Sequence, residues 1–171
     1  MSGGYRPPEL IGAGHDADSF ECRSAEQTEW LRRQAGQSAS SGTTRVLVVT
    51  TSDSPAVVAY YAWCMASIAL DDAPPRARKG VGRYPQPVAL LAPLAGDVRH
   101  EGRGIGAALS QDVVARTRAL GDETGCRGLL VHADTAEARD FYLHLVPEFD
   151  TSPTDELHLL LLMKDIRGAP K

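Results

Sequence analysis

Cysteine is scarce in this chain, and its placement does not suit cross-linking. Only Cys22, Cys64 and Cys126 occur among 171 residues, an odd number at wide spacing. This favours reduced thiols over a disulfide framework. The chain has no CxxC or HxxH spacing and its five histidines are scattered. We therefore expect no metal site, and no histidine partner is evident for a catalytic thiol at Cys126.

The chain also lacks a hydrophobic run of membrane-spanning length, and residues 1–8 contain no hydrophobic signal segment. We therefore expect a cytoplasmic protein without a membrane contact. A formal net charge of −4 argues against indiscriminate binding to nucleic acid. With 43% hydrophobic residues, the chain is long enough for a single domain over residues 1–171 with a substantial core.

A glycine loop lies between a predicted strand and a predicted helix. Gly102, Gly104 and Gly106 alternate with other residues, and a helical pattern follows over residues 106–120. The apolar strand at 88–96 precedes them, and Pro93 within it predicts a bulge or an unpaired edge. Alternate glycines can turn several backbone N–H groups to one side, and a helix start adds free donors. This unit predicts a site for a pyrophosphate.

A dinucleotide-binding loop is the alternative interpretation of these glycines. Gly102-x-Gly104-x-x-Ala107 formally matches its G-x-G-x-x-G/A pattern. However, five residues separate the strand from Gly102, and the only candidate for the ribose-binding acid, Asp134, comes late. The surrounding sequence therefore disfavours this alternative.

The remaining patterns predict a mixed α/β sheet flanked by helices. We predict helices at 24–37 and 106–120, and a third that begins at Asp134 or Thr135 with Glu137 as the cap partner of Asp134. Strands are predicted at 45–50, 56–70, 88–96, 128–133 and 157–163, the first two forming an antiparallel pair. Residues 71–85 are rich in proline and glycine and predict an exposed loop that concentrates four cations: Arg76, Arg78, Lys79 and Arg83. Such a run can be merely a solvated surface.

Two segments resemble the GNAT acetyltransferases. The family's Q/R-x-x-G-x-G/A loop aligns with residues 101–106, with Glu101 in the Gln/Arg position, and its N-x-x-A-x-x-F-Y helix aligns with residues 135–142, with Thr135 in the asparagine position. The resemblance implies that the loop binds acetyl-CoA. Because an acid would repel phosphate, we expect Glu101 to point away and Arg103 to supply the charge.

More of the chain resembles one branch of that family, the TacT-like toxins of toxin–antitoxin pairs. Segments at 15–31, 58–62, 130–133 and 152–166 are similar to its HD…FxCG…LDxWL, VxGYYA, LVHA and SPTD…LLLKDI patterns. Arg23 and Ala59 replace pattern glycines, and residues 145–149 replace a Gly-Phe pair.

The branch resemblance implies a toxin that transfers acetyl from acetyl-CoA to the α-amino group of an aminoacyl-tRNA and blocks translation, with glycyl-tRNA favoured. It also implies a homodimer and a ribbon-helix-helix antitoxin, through which alone the complex would bind operator DNA. The basic residues Arg76, Arg78, Lys79 and Arg83 would then bind the tRNA backbone.

The resemblance also implies the site residues. Tyr142 occupies the position of a catalytic tyrosine that protonates the leaving sulfur, although its helical stripe also suits a core residue. A backbone N–H near the strand end would stabilise the oxyanion. The residues implied in acetyl-CoA binding are Leu94, Ala95, Gly96, Gly102, Arg103, Gly104, Ile105, Gly106, Ala107, Thr135 and Phe141.

Two other functions stay open at this point. One is a GNAT enzyme that acetylates a small amine or a protein N-terminus. The other is a non-catalytic acyl-CoA-binding protein, which is favoured by the departures at Glu101, Thr135 and Ala59.

Overall fold

The computed structural model describes residues 4–168. Its strands are β1 (Glu9–Leu10), β2 (Arg45–Thr51), β3 (Ser54–Ile68), β4 (Gln86–Gly96), β5 (Gly128–His132), β6 (Asp150–Thr151) and β7 (His158–Leu162). Its α-helices are α1 (Ala25–Arg33), α2 (Ala35–Ser40), α3 (Pro75–Arg78), α4 (Ile105–Glu123), α5 (Ala136–Leu145) and α6 (Met163–Gly168). Short 3-10 helices lie at Leu70–Asp72 and Val98–His100.

The strands form one mixed sheet in the order β1-β2-β3-β4-β5-β7-β6. β4 and β5 are parallel, and the chain between them includes α4, as a parallel crossover requires. The β1–β2, β2–β3, β5–β7 and β6–β7 pairs are antiparallel. The predicted mixed α/β sheet and the antiparallel pairing of β2 with β3 are thus confirmed.

The first predicted helix is two helices. Ser24 caps α1, accepting a hydrogen bond from the backbone of Gln27 at 3.2 Å. The prediction of one helix to residue 37 is wrong because α1 ends at Arg33, where Gln34 adopts a φ of −115°. Ala35, which begins α2, is fully buried, so burying this residue competes with continuing the helix.

The segment at 71–85 is only partly the loop that its composition predicts. Leu70–Asp72 form a 3-10 helix, and Pro75 begins α3 in the first-turn position that suits proline. Ala73 and Ala77 are buried, which ties the first half of the segment to the core. Residues 73–74 and 79–85 lie outside the helices and strands. Composition missed these helices because they are short and are held by burial rather than by a periodic pattern.

Other boundaries also differ from the predictions. The strand predicted at 56–70 is β3, Ser54–Ile68, and Leu70 lies in a 3-10 helix. Thr135 rather than Asp134 caps α5, accepting from the Ala138 backbone at 3.1 Å, so the predicted pairing of Asp134 with Glu137 is wrong. The last predicted strand ends at Leu162, and Met163 begins α6, which the sequence did not predict.

The chain divides into two compact units. The first contains Met1–Cys64 with Pro93–Asp112, and the second contains Met65–Ala92 with Val113–Lys171. The first has a core around Phe20, Val46 and Tyr60, and the second has a core around Val88, Leu130 and Leu160. None of the helices in residues 4–168 is both long and apolar enough to cross a membrane. The single-domain organisation stays a prediction.

Candidate active site

The end of β4 extends beyond its pairing with β5. The parallel register runs from Ala89↔Leu129 to Leu91↔Val131, whereas β4 continues to Gly96. Pro93, which has no N–H to give to a ladder, lies two residues past the last β4–β5 pair. Because β4 lies between β3 and β5, the bulge or unpaired edge at Pro93 stays a prediction. Ala95 is buried and Gly96 is exposed. The backbone of residues 94–96 therefore lies outside the β4–β5 ladder.

The glycine loop has the backbone geometry that its sequence predicts. Gly102 and Gly104 have φ values of +75° and +79°, in the left-handed region that favours glycine. Ala108 donates to the Gly104 carbonyl at 3.1 Å, so the preceding N–H groups of the first turn have no intrahelical acceptor. Ile105 is buried and anchors the helix start, which leaves only its backbone for a ligand. Gly106 and Ala107 are half-buried in the same turn.

Glu101 is bound by an arginine that is distant in sequence. Arg23 donates from its Nε and Nη2 atoms to the two carboxylate oxygens of Glu101, at 2.8 and 2.9 Å. This pairing lowers the pKa of Glu101, so the carboxylate stays ionised and its charge is balanced by Arg23. Both residues are departures from the family patterns, and they compensate for each other. The repulsion that Glu101 would exert on a phosphate is thereby reduced.

Arg103 is held by the N-terminal segment. Its Nη1 atom donates to the Tyr5 hydroxyl at 3.0 Å, and that hydroxyl lies 2.7 Å from Nδ1 of His100. The phenol accepts from Arg103 and, with Nδ1 of His100 unprotonated, can donate to His100 at the same time, which would join the three side chains in one chain of hydrogen bonds. Sequence reasoning singled out Arg103 but missed Tyr5 and His100, because no pattern links residue 5 to residue 103.

The Asp97 carboxylate lies shortly before the glycine loop and is buried and fully hydrogen-bonded. It is 1% exposed and accepts from the Glu21 backbone at 3.1 Å, from the Arg99 backbone at 2.9 Å and from the Arg99 guanidinium at 2.7 and 2.9 Å. Hydrogen bonding from Arg99 is the main cause that lowers the pKa of Asp97 to about 2. Asp97 is therefore ionised in the folded protein at neutral pH.

Because of the Asp97 carboxylate, the free energy of unfolding should depend on pH in the range between its unfolded and folded pKa values. The pKa falls from 3.8 to about 2 on folding, so the stabilisation is complete above pH 4 and is lost as the pH falls towards 2. We expect Asp97→Asn to lower the free energy of unfolding at pH 7 by about 2 kcal/mol. Urea unfolding at several pH values checks this, because the difference between the wild type and the variant should shrink below pH 4. A difference that stays constant down to pH 2 would contradict the assignment.

Tyr142 lies on α5 and is 7% exposed. Its ring packs edge-on against Phe141, with centroids 5.3 Å apart, and against Phe149 at 6.3 Å. Burial raises the pKa of Tyr142 well above its ordinary value of 10. The phenol is therefore protonated at neutral pH, so it has a proton to donate.

The hydroxyl of Tyr142 differs from those of the other two buried tyrosines. Tyr60 donates to the Gln27 carbonyl at 2.7 Å, and Tyr61 donates to the Asp112 carboxylate at 2.6 Å. Within residues 4–168, the Tyr142 hydroxyl has no hydrogen-bond partner. The Tyr142 oxygen is not fully enclosed, because the fully buried side-chain atoms without a partner in the described residues are Trp63 Nε1 and Arg127 Nε. It is therefore accessible to solvent and to a molecule that binds to the protein.

Two other predicted acetyl-CoA residues lie on the same helix. Thr135 uses its hydroxyl to cap α5, which explains a threonine at this position without a ligand. Phe141 is 37% exposed, so part of its ring is accessible. Contacts of both residues with acetyl-CoA stay predictions.

The four basic residues of the predicted tRNA surface fall into two pairs. Arg76 binds the carboxylates of Asp150 and Asp165 at 2.9 Å each. Arg78 donates to the carbonyls of Ala73 and Asp71. Lys79 and Arg83 are exposed, and within residues 4–168 they make no ion pair. The first pair thus has a structural role that composition did not predict, and its contact with tRNA stays a prediction.

Arg76 connects three segments of the second unit, so its removal should affect stability. We expect Arg76→Ala to lower the melting temperature by a few degrees, because two carboxylates lose their shared partner. Arg83→Ala, which removes an exposed arginine without such partners, is the matched control and should leave the melting temperature unchanged. Scanning calorimetry checks both, and equal melting temperatures for the two variants would refute the structural role.

The site residues divide between the units. The first unit holds the end of β4 and the glycine loop, together with Arg23 and Tyr5. The second holds Thr135, Phe141 and Tyr142 on one helix, and also the basic segment. Within residues 4–168 no group of three or more potential metal ligands occurs.

Curated relatives match nearly the whole chain, although no protein-family model does. The tRNA-acetylating toxin of Mycobacterium tuberculosis is 41% identical over 165 residues, which cover 96% of both chains. The probable toxin TacT of Sinorhizobium fredii is 26% identical over 160 residues, which cover 90% of this chain and 88% of that one.

Solved structures share the fold at low sequence identity. A tyrosine-to-phenylalanine mutant of KacT has a TM-score of 0.89 at 20% identity, covering 97% of this chain and 99% of that one. AtaT complexed with acetyl-methionyl-tRNAfMet has a TM-score of 0.85 at 22% identity, covering 95% and 97%. A tyrosine-to-phenylalanine mutant of AtaT, bound to acetyl-CoA and to the C-terminus of the antitoxin AtaR, has a TM-score of 0.77 at 21% identity, covering 95% and 96%.

The glycine loop, helix α5 with its Phe141–Tyr142 pair (the FY helix) and the mixed sheet are consistent with these similarities. Identity of 41% over 96% of both sequences is decisive for membership. The chain belongs to the tRNA-acetylating toxins, the TacT-like branch of the acetyl-CoA-dependent GNAT N-acetyltransferases.

Proposed function

We propose that this protein transfers the acetyl group of acetyl-CoA to the α-amino group of an amino acid esterified to tRNA, and that it thereby blocks translation. The name of the Mycobacterium tuberculosis relative supports the reaction, and the acetyl-methionyl-tRNA bound to AtaT supports this kind of product. One observation carries the proposal in this chain: the Tyr142 hydroxyl, on α5, is accessible and has no protein partner among the described residues.

The acceptor amine does not need a strong base on the protein in order to attack the thioester. An α-amino group has a pKa near 8, and esterification of the adjacent carboxyl lowers it further. A useful neutral fraction therefore exists at pH 7, and no strong base is required. The nitrogen attacks the thioester carbonyl, and a backbone N–H of the Leu94–Gly96 segment donates to the oxyanion, a contribution of about 3–4 kcal/mol in comparable sites.

Collapse of the tetrahedral intermediate breaks the C–S bond, and the sulfur must receive a proton. Tyr142 donates it, and the proton lost by the acceptor amine restores the phenol. At ordinary pKa values, donation from a tyrosine to a free thiolate costs about 2 kcal/mol. Burial of Tyr142 raises that cost, so proton transfer accompanies C–S cleavage rather than following it.

The glycine loop fits the diphosphate of acetyl-CoA. Gly102 and Gly104 adopt conformations that favour glycine, and no atom would obstruct a Cβ within 4 Å of either, so their outer side is open to a ligand. The N–H groups of residues 105–107 supply donors at the positive end of α4. Arg103, with its Tyr5 contact, supplies the positive charge that Glu101 lacks.

Glycyl-tRNA is the favoured acceptor in this proposal, because a small side chain is the most readily admitted. The proposal also includes the partners that the resemblance implies: a second copy of the chain, a ribbon-helix-helix antitoxin, and operator DNA bound through that antitoxin. The AtaR segment bound to AtaT supports an antitoxin partner. A substrate used in translation is consistent with the expected cytoplasmic location.

A single experiment tests the class of reaction and the acceptor. Total charged tRNA is incubated with the protein and labelled acetyl-CoA, and the ester bond is then hydrolysed to release N-acetyl amino acids for mass spectrometry. We expect N-acetylglycine as the main labelled product. Another N-acetyl amino acid would replace only the glycyl assignment, whereas turnover on free amines or peptides without any tRNA-linked product would overturn the function.

A further inference from the structure

Tyr84 has the most exposed ring among the large hydrophobic side chains of residues 4–168. It is 64% exposed, compared with 51% for Met65 and 37% for Phe141. It lies in the segment 79–85, between α3 and β4 in the second unit. Exposing a tyrosine ring to this extent gives up the favourable burial of its apolar surface.

The ring is nevertheless held in place. It packs against the backbone of Gly82, where an added Cβ would lie within 3.0 Å of three ring atoms, Cδ1, Cε1 and Cζ. Gly82 does not have a positive φ, so glycine is needed there for space rather than for backbone conformation. The Tyr84 carbonyl accepts from Nε2 of the buried Gln86 at 2.9 Å. The ring is thus supported on one side and open on another.

The charged residues near Tyr84 in sequence are of one sign. Lys79 and Arg83 precede it by five residues and by one, and residues 79–85 contain no acidic residue. Both cations are exposed and make no ion pair within the described part of the chain, unlike Arg76. A supported aromatic ring with exposed, unpaired cations in the same short segment matches the chemistry of single-stranded nucleic acid, in which bases stack on rings and phosphates contact cations.

We propose that Tyr84 is a stacking platform for an unpaired base at the 3′ end of the tRNA substrate, with Lys79 and Arg83 contacting the adjacent phosphates. The occupant must be unpaired because the base pairs within a duplex are already stacked on one another. The inference rests on the proposed function, which supplies a tRNA with a single-stranded end that carries the amino acid. It assigns base stacking to one residue and phosphate contact to two of the four predicted cations.

The test measures binding of deacylated tRNA by Tyr84→Ala at one fixed salt concentration. We expect Kd to rise about 10- to 100-fold, the range typical of one lost stacking contact. KM for charged tRNA should rise in parallel, while KM for acetyl-CoA stays unchanged. Tyr84→Phe keeps the ring and should bind like the wild type. Gly82→Ala should show part of the loss, because it displaces the ring without changing any charge.

Two comparisons separate stacking from a general effect on the fold. Met65→Ala removes another exposed large side chain of the same unit and should leave Kd unchanged. On tRNA trimmed of its unpaired 3′ nucleotides, Tyr84→Ala and the wild type should bind equally. An unchanged Kd for Tyr84→Ala on intact tRNA, or an equal loss on trimmed tRNA, overturns the inference. If the wild type acetylates charged tRNA in either case, the proposed function survives; if it acetylates none, the proposed function itself fails.

Discussion

Tyr142→Phe should lower the single-turnover rate of acetyl transfer by about 10²- to 10⁴-fold, the range typical of losing a general acid. The substitution removes only the hydroxyl, and that hydroxyl makes no hydrogen bond within residues 4–168, so the folded state loses no polar contact there. The ring contacts with Phe141 and Phe149 are kept. Stability and acetyl-CoA affinity should therefore stay close to those of the wild type, as thermal unfolding and calorimetry would measure.

Tyr60→Phe is the matched control because it removes a hydroxyl from another buried tyrosine. The Tyr60 hydroxyl donates to the Gln27 carbonyl at 2.7 Å, so its loss leaves an acceptor unpaired and lowers stability by about 1–3 kcal/mol. The rate of transfer by the folded Tyr60→Phe variant should be unchanged. If Tyr142→Phe transfers acetyl at the wild-type rate in a single turnover, Tyr142 takes no part in the chemistry.

The parts of the site that sequence predicted are those set by local geometry. The positive φ values of Gly102 and Gly104 are local properties that glycines at alternate positions before a helix already indicate. The FY helix is similarly local, since its position follows from a cap residue and a helical pattern over ten residues. Such features need no knowledge of which segments meet in the folded chain.

The parts that sequence missed are contacts between distant segments. Arg23 and Glu101 are 78 residues apart, and Tyr5 and Arg103 are 98 residues apart. Glu101 looked unfavourable for phosphate binding when taken alone, and only the fold shows that Arg23 and Glu101 compensate for each other. A signal was present, because one departure introduces a positive charge and the other a negative charge.

The basic segment, residues 76–83, also has contacts with distant segments that the sequence alone does not reveal. Its four cations are equivalent by composition, yet Arg76 binds two carboxylates whereas Arg83 makes no ion pair within residues 4–168. Asp150 and Asp165, the partners of Arg76, come more than seventy residues later in the chain. A count of charges therefore predicts a basic surface, but it cannot say which cations are available to a phosphate.

Gly104→Val should raise the Kd for acetyl-CoA by about 10- to 100-fold. Gly104 has a φ of +79°, and a left-handed conformation costs an L-residue roughly 1–2 kcal/mol, with a β-branched side chain at the unfavourable end. In the free variant the loop can relax to another conformation, so the strain is incurred when the ligand binds and the loop must return. Isothermal titration with acetyl-CoA measures the effect directly.

Gly125→Val is the control for the general effect of replacing a glycine by valine. Gly125 does not have a positive φ, and a Cβ there, as at Gly104, would meet no atom within 4 Å. Since both positions have open space, any difference in acetyl-CoA affinity between the two variants reports the backbone conformation at residue 104 and not crowding. If both variants bind acetyl-CoA as the wild type does, the left-handed conformation at Gly104 is not needed for binding the diphosphate. The coenzyme would then bind to another part of the chain.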